Sequence, residues 1–222
     1  MAIMVKPSKS RTSFRAPATS AGRAGLSVEP EPASGLDLAN HFLIAMPSMS
    51  DPMFGGAVVY LCEHNAEGAL GVIINKATDM TMDVLLERID LSPGTPITSL
   101  ELDAKPVMFG GPVQVERGFV LHMPHGSWAS VMKVSEDVAL TTSKDILEAV
   151  AVGRGPERLL VTLGCAGWSA GQLEEEIGRN GWLTVPADPR IIFDTPVEER
   201  FSAAMKLLGI DPVMLAGVAG HA

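Results

Sequence analysis

Apolar residues fall in short runs along this chain, and the spacing within each run separates strands from helices. Residues 42–46 (FLIAM), 57–62 (AVVYLC) and 69–74 (ALGVII) are continuous, apolar and bounded by polar or Gly-containing links, which predicts strands. The six-residue link 63–68 marks the second and third as adjacent antiparallel strands. Met82, Leu85, Leu86 and Ile89 then recur at helical spacing behind Thr78, Asp79 and Thr81, any of which suits an N-cap. That predicts a helix of about ten residues, ended by the turn Ser92-Pro93-Gly94. Further strands are expected at 107–109, 118–123, 158–163, 183–185 and 191–193, and helices from Ser143, over 171–180 and over 197–208. The last helix follows Pro196, which its first turn tolerates, and repeats Phe201, Met205 and Leu208 on one face.

The order of elements lacks strict strand–helix alternation. It predicts an α+β protein, a mixed β-sheet with flanking helices, and not a doubly wound nucleotide fold.

Composition divides the chain in two. Of its 222 residues 46% are hydrophobic, enough for a sizeable core. Residues 1–36 carry five Lys/Arg against two Asp/Glu, are rich in Ser, Ala and Pro, and have few large apolar side chains. They read as a flexible basic tail, an overlong start or a targeting segment, with no apolar stretch of signal-peptide length to favour export. Residues 37–222 are expected to form a single domain, with 12 basic and 24 acidic residues. A body this acidic repels phosphate backbones, which disfavours direct nucleic-acid binding. No run of 18 apolar residues exists to span a membrane. Cys62 and Cys165, the only cysteines, lie in or beside apolar strands and are expected as buried free thiols of a cytoplasmic protein.

The most informative stretch is 162–176, where an apolar strand is expected to stop at Gly164 and pass through a Gly/Trp turn into an acidic helix. Trp168 in that turn reads either as packed on the sheet or as an anchor for a partner. Gly110-Gly111-Pro112 suggests a phosphate loop only superficially: it lacks the Lys-Ser/Thr of a P-loop, and Pro112 removes an N–H donor. It reads as a structural turn or a pocket wall. Gly-rich strand ends collect at one sheet edge, so this turn and the 164–168 turn are expected within about 10 Å of each other.

Arg117 and His122 stand an odd number of residues apart on a predicted strand, hence on opposite faces unless a bulge intervenes near Gly118. Arg117 suits a structural ion pair or a ligand carboxylate, and His122 a structural role or, with His125, part of a metal site that no nearby Cys or Asp completes. Cys62 and His64 are expected on one strand face, the residue types of a thiol nucleophile and its base. Glu174, Glu175 and Glu176 read as a solvated first turn or as paired carboxylates. The repeated Met-Phe-Gly-Gly at 53–56 and 108–111 is either a duplicated unit or the same device for a tight turn.

Several separated motifs now combine. They are Ser50-Asp51-Pro52 with Phe54; 58–65 (VVYLCEHN); 67–75 (EGALGVIIN); Gly110-Gly111-Pro112-Val113; 117–122 (RGFVLH); and Leu163-Gly164, Ala166-Gly167-Trp168 and Gly171-Gln172-Leu173-Glu174. In this order they resemble the AlgH/YqgE family over roughly residues 37–220. The resemblance implies an α+β fold around a mixed sheet and a name as uncharacterised protein or transcriptional regulator, and it brings no catalytic mechanism. Cys165 stands where the family often has Tyr, and Ser169-Ala170 where Gly-Pro is common, so no role of a Tyr hydroxyl carries over.

Taken together, the residues predict a non-catalytic interaction or regulatory protein. It needs no cofactor or metal, and its partner is a protein or a small molecule. The second reading is a small-molecule-binding enzyme, of hydrolase type, using a pocket between the Gly110-Gly111 and 164–168 turns. The candidate binding surface is Gly110, Gly111, Arg117, His122, Gly164, Trp168, Gln172 and Glu174; no catalytic residue is assigned.

Overall fold

The computed structural model describes residues 37–91 and 105–210. The expected tail at 1–36, the Ser92-Pro93-Gly94 turn and the C-terminal end lie outside these residues. Ten strands are described: β1 (His41–Ala45), β2 (Val58–Asn65), β3 (Gly68–Ile73), β4 (Ala77–Thr81), β5 (Pro106–Phe109), β6 (Val113–Met123), β7 (Val131–Lys133), β8 (Ala139–Thr141), β9 (Arg158–Ser169) and β10 (Trp182–Pro186). Five α-helices accompany them: α1 (Met82–Arg88), α2 (Asp145–Ala151), α3 (Gln172–Gly178), α4 (Pro189–Phe193) and α5 (Arg200–Leu207). The strands form one sheet in the order β10-β1-β2-β3-β9-β6-β8-β7, with β4 beside β5 and β5 beside β9. Every pairing is antiparallel except β5 with β9, so the sheet is mixed and the fold is α+β, not of the doubly wound nucleotide type.

β9 is the spine. Its first half lies antiparallel to β6, Gly118 opposite Leu163 through Met123 opposite Arg158, and parallel to β5. Its second half turns to β3, Gly71 opposite Ala166 through Gly68 opposite Ser169. The change of partner curls the sheet around a central core. Alternation along β1 and β2 sends Phe42, Ile44, Val58 and Tyr60 inward, where Phe119, Leu121 and α4 and α5 meet them. Leu43, Val59 and Leu61 face the other way, beneath α3, with Trp168 and Trp182. α1 and α2 cover the part of the sheet made by β5, β6 and the first half of β9, on Val107, Val120 and Val161.

Several sequence expectations change. The strand predicted to stop at Gly164 continues to Ser169, so 164–168 is sheet and not a turn. Both partners, β6 and β3, supply ladder hydrogen bonds past the glycine, which an isolated run cannot reveal. Residues 191–193 are helical, because Asp188 accepts a hydrogen bond from the Arg190 N–H and Pro189 starts a helix. The 63–68 link is a two-residue hairpin turn between lengthened strands. Met53 and Phe54 lie in turns whereas Met108 and Phe109 lie in β5, so the repeated tetrapeptide is no duplicated unit.

Candidate functional site

The candidate residues divide into three places. At the joint of the sheet, the Gly110 N–H donates to Leu163 O at 2.8 Å and Gly110 O accepts from the Ile73 N–H at 2.8 Å. The two glycine stretches therefore meet, although Gly164 lies within β9 and not at the strand end expected from the sequence. Gly164 has φ +75°, and a methyl there would overlap Gly111 O; one on Gly110 would overlap Gly164 O, and one on Gly111 the Cys165 carbonyl. The missing side chains let the backbones touch, and the backbones themselves fill the space between the two stretches.

Arg117 sits beside this joint. β6 is irregular between Val113 and Gly118, and the guanidinium donates from Nη1 to Gln114 Oε1 at 3.0 Å and from Nη2 to Thr142 Oγ1 at 2.9 Å. It also lies 5.6 Å from the Phe119 ring centroid. These partners are neutral, so the structural ion pair considered from the sequence is not formed among the described residues.

His122 lies elsewhere, fully buried on β6. Its Nδ1 faces Pro124 O at 2.9 Å and its Nε2 faces Thr141 Oγ1 at 2.8 Å. A carbonyl only accepts, so Nδ1 carries the proton and Nε2 accepts from the hydroxyl. Burial lowers the pKa, and the neutral ring has both nitrogens engaged. Among the described residues no three His, Cys, Asp or Glu side chains are grouped to hold a metal ion.

Trp168, Gln172 and Glu174 form the third place, where the end of β9 meets α3. The Trp168 indole is buried and donates to Glu176 Oε2 at 2.9 Å. The Trp182 indole donates to the same oxygen at 2.8 Å, and Gln172 donates to Glu176 Oε1 at 3.0 Å. Phe54 packs against both tryptophans. Glu174 accepts from His64 Nε2 at 3.0 Å, while His64 Nδ1 accepts from the Leu38 N–H at 3.2 Å. Glu63, Asn65, Glu67, Gly68, Leu70 and Trp168 line an open depression beside this corner.

The paired Cys62–His64 expectation fails. The register of β2 against β3 slips between Leu61 and Glu63, and this bulge turns His64 toward α3 while Cys62 stays in the central core. Burial raises the Cys62 thiol and raises Cys165 to about 11, so both are protonated, inert and free. Trp182 and Arg200 were not singled out from the sequence, Phe54 entered only as part of a motif, and Glu176 was read as a solvated first-turn residue or one of paired carboxylates, not as the acceptor of two indoles. Only the spacing of Gln172 and Glu176, four residues apart on a helix, signalled any of these contacts.

Fold and site together define a small α+β protein built on a curled mixed sheet. The chain belongs to the AlgH-like family (DUF179), whose profile matches residues 42–213. It is 60% identical over 191 residues to a UPF0301 protein of Ralstonia nicotianae, covering 86% of this chain and 98% of that one. A UPF0301 protein of Burkholderia vietnamiensis is 58% identical over 199 residues, covering 86% and 99%. The solution structure of the AlgH protein from Pseudomonas aeruginosa superposes with a TM-score of 0.68 at 47% identity, covering 87% of this chain and all of that one. A Corynebacterium diphtheriae crystal structure shares the fold, with a TM-score of 0.61 at 18% identity over 76% and 86% of the two chains.

Proposed function

We propose that this is a non-catalytic cytoplasmic interaction or regulatory protein whose partner-facing surface is the corner around Trp168, formed by the β2–β3 hairpin, the end of β9 and α3. One observation supports the reading most: His122, the two thiols and the glycine joint are closed into the structure, whereas this corner is open. His122 has both nitrogens engaged, the thiols are buried, and the glycine joint is filled by its own backbone. The open corner carries Glu63, Glu67, Glu174 and Glu175, all exposed. Its charge suits a basic protein segment and opposes a nucleic-acid backbone, so a regulatory effect on transcription runs through a protein partner.

The test is photo-crosslinking in cells from a reactive side chain at position 67. A discrete protein adduct is expected, and Glu63→Lys with Glu174→Lys should remove it while the protein stays folded. An adduct that survives both changes overturns this surface. Turnover of a small ester or amide by the purified protein, lost in Arg117→Gln, overturns the non-catalytic reading and restores the hydrolase.

A further inference from the structure

A cavity of roughly 200 Å³ lies between α4, the turn leading into α5, and the ends of β5 and β9. It shares no lining residue with the Trp168 corner. Its walls are apolar, with Met82, Met108, Leu159, Val161 and Phe193 among them, and exposed Lys105 also lines it.

The exception in that wall is Arg200, which is only 5% exposed. Its Nε donates to Thr195 O at 3.0 Å and its Nη1 donates to Ile74 O. Both acceptors are neutral carbonyls. Among the described residues Nη2 has no hydrogen-bond partner, and no carboxylate forms an ion pair with the guanidinium. Glu198, which acts on it through space, is exposed. Burial brings Arg200 down to about 10, which leaves it charged at neutral pH. Among the described residues this buried cation is held only by carbonyls, which is costly, and a guanidinium fork matches a carboxylate in shape and charge.

We infer that this cavity binds a small apolar monocarboxylate, with the carboxylate on Arg200 and the hydrocarbon between Met82 and Met108. Its size sets the class. A cavity of about 150 Å³ holds benzene, whereas drug-sized ligands need about 300 Å³ or more. A single ring or short chain bearing one carboxylate therefore fits. One buried guanidinium and one exposed lysine suit a single charge better than a multiply charged phosphate. The inference does not depend on the protein-partner reading, because it concerns a different set of residues.

The experiment follows the methionine methyl resonances of the full chain during titration with benzoate, and in parallel with benzamide, its uncharged analogue. The expected result is saturable shifts at Met82 and Met108, with benzoate bound at least about tenfold more tightly than benzamide. Equal affinities overturn the pairing with Arg200, and unmoved Met82 and Met108 resonances overturn the site. Arg200→Gln should weaken benzoate at least about tenfold and leave benzamide unchanged. The wild-type comparison stands whether or not that variant folds.

Discussion

His122 is held neutral by its surroundings, and that has a consequence for pH. Burial is the largest influence and lowers its pKa; the hydrogen bond with Pro124 O opposes this but does not outweigh it. In the unfolded chain the ring takes up a proton near pH 6.5, while in the folded protein it does so only at lower pH. The unfolded state therefore binds more protons as pH falls below about 6.5, and folding stability drops until the folded value is passed. We expect the stability difference between wild type and His122→Gln to move in favour of the variant over that window, measured by urea unfolding at a series of pH values. A pH-independent difference would show that the ring protonates without penalty. Gly164 makes a second residue-scale case. Its left-handed backbone and its contact with Gly111 both exclude a side chain. Gly164→Ala should cost at least about 2 kcal/mol, since the backbone conformation alone accounts for roughly 1–2 kcal/mol. A urea midpoint unchanged by the substitution would refute that role.

At the scale of elements, Glu176 ties three pieces together. One carboxylate on α3 accepts both indole N–H groups, from Trp168 on β9 and Trp182 on β10, and also the amide of Gln172. Trp168→Ala removes a buried aromatic from the Phe54–Trp168–Trp182 cluster and should destabilise the fold by about 3–5 kcal/mol. Glu176→Ala leaves the rings in place and strips their acceptor, so a smaller loss of about 1–3 kcal/mol is expected. Chemical denaturation of the two variants checks both the sizes and their order. A loss below about 1 kcal/mol for Trp168→Ala would contradict packing and make Trp168 a partner anchor.

For the whole molecule, the distribution of charge bears on the proposed class of partner. The acids outnumber the bases two to one over residues 37–222, and the basic excess is confined to residues 1–36. A protein lacking residues 1–36 should show no salt-sensitive DNA affinity tighter than about 10 μM at physiological salt. A tight complex that weakens as salt is added would overturn the protein-partner reading in favour of direct DNA binding. Among the described residues no helix is long and apolar enough to cross a membrane.

Residue pattern alone determined the class of this fold. Short β-branched runs, the helical spacing around Leu85 and Leu86, and the irregular element order already marked an α+β protein with a mixed sheet, because such periodicities are local. The meeting of the Gly110-Gly111 and Gly164 stretches was also legible, since glycine's tolerance of close backbone approach is a property of the chain itself, although the strand end expected at Gly164 was not found. Tertiary structure decided what depends on distant partners. β9 runs on past Gly164 because β3 and β6 lie beside it. A bulge after Leu61 separates Cys62 from His64, and its position is set by pairing with β3. Arg200 becomes a buried cation because α5 folds against Ile74, 126 residues away. No reading along the chain contains that contact, and a side chain's environment is made by what folds over it.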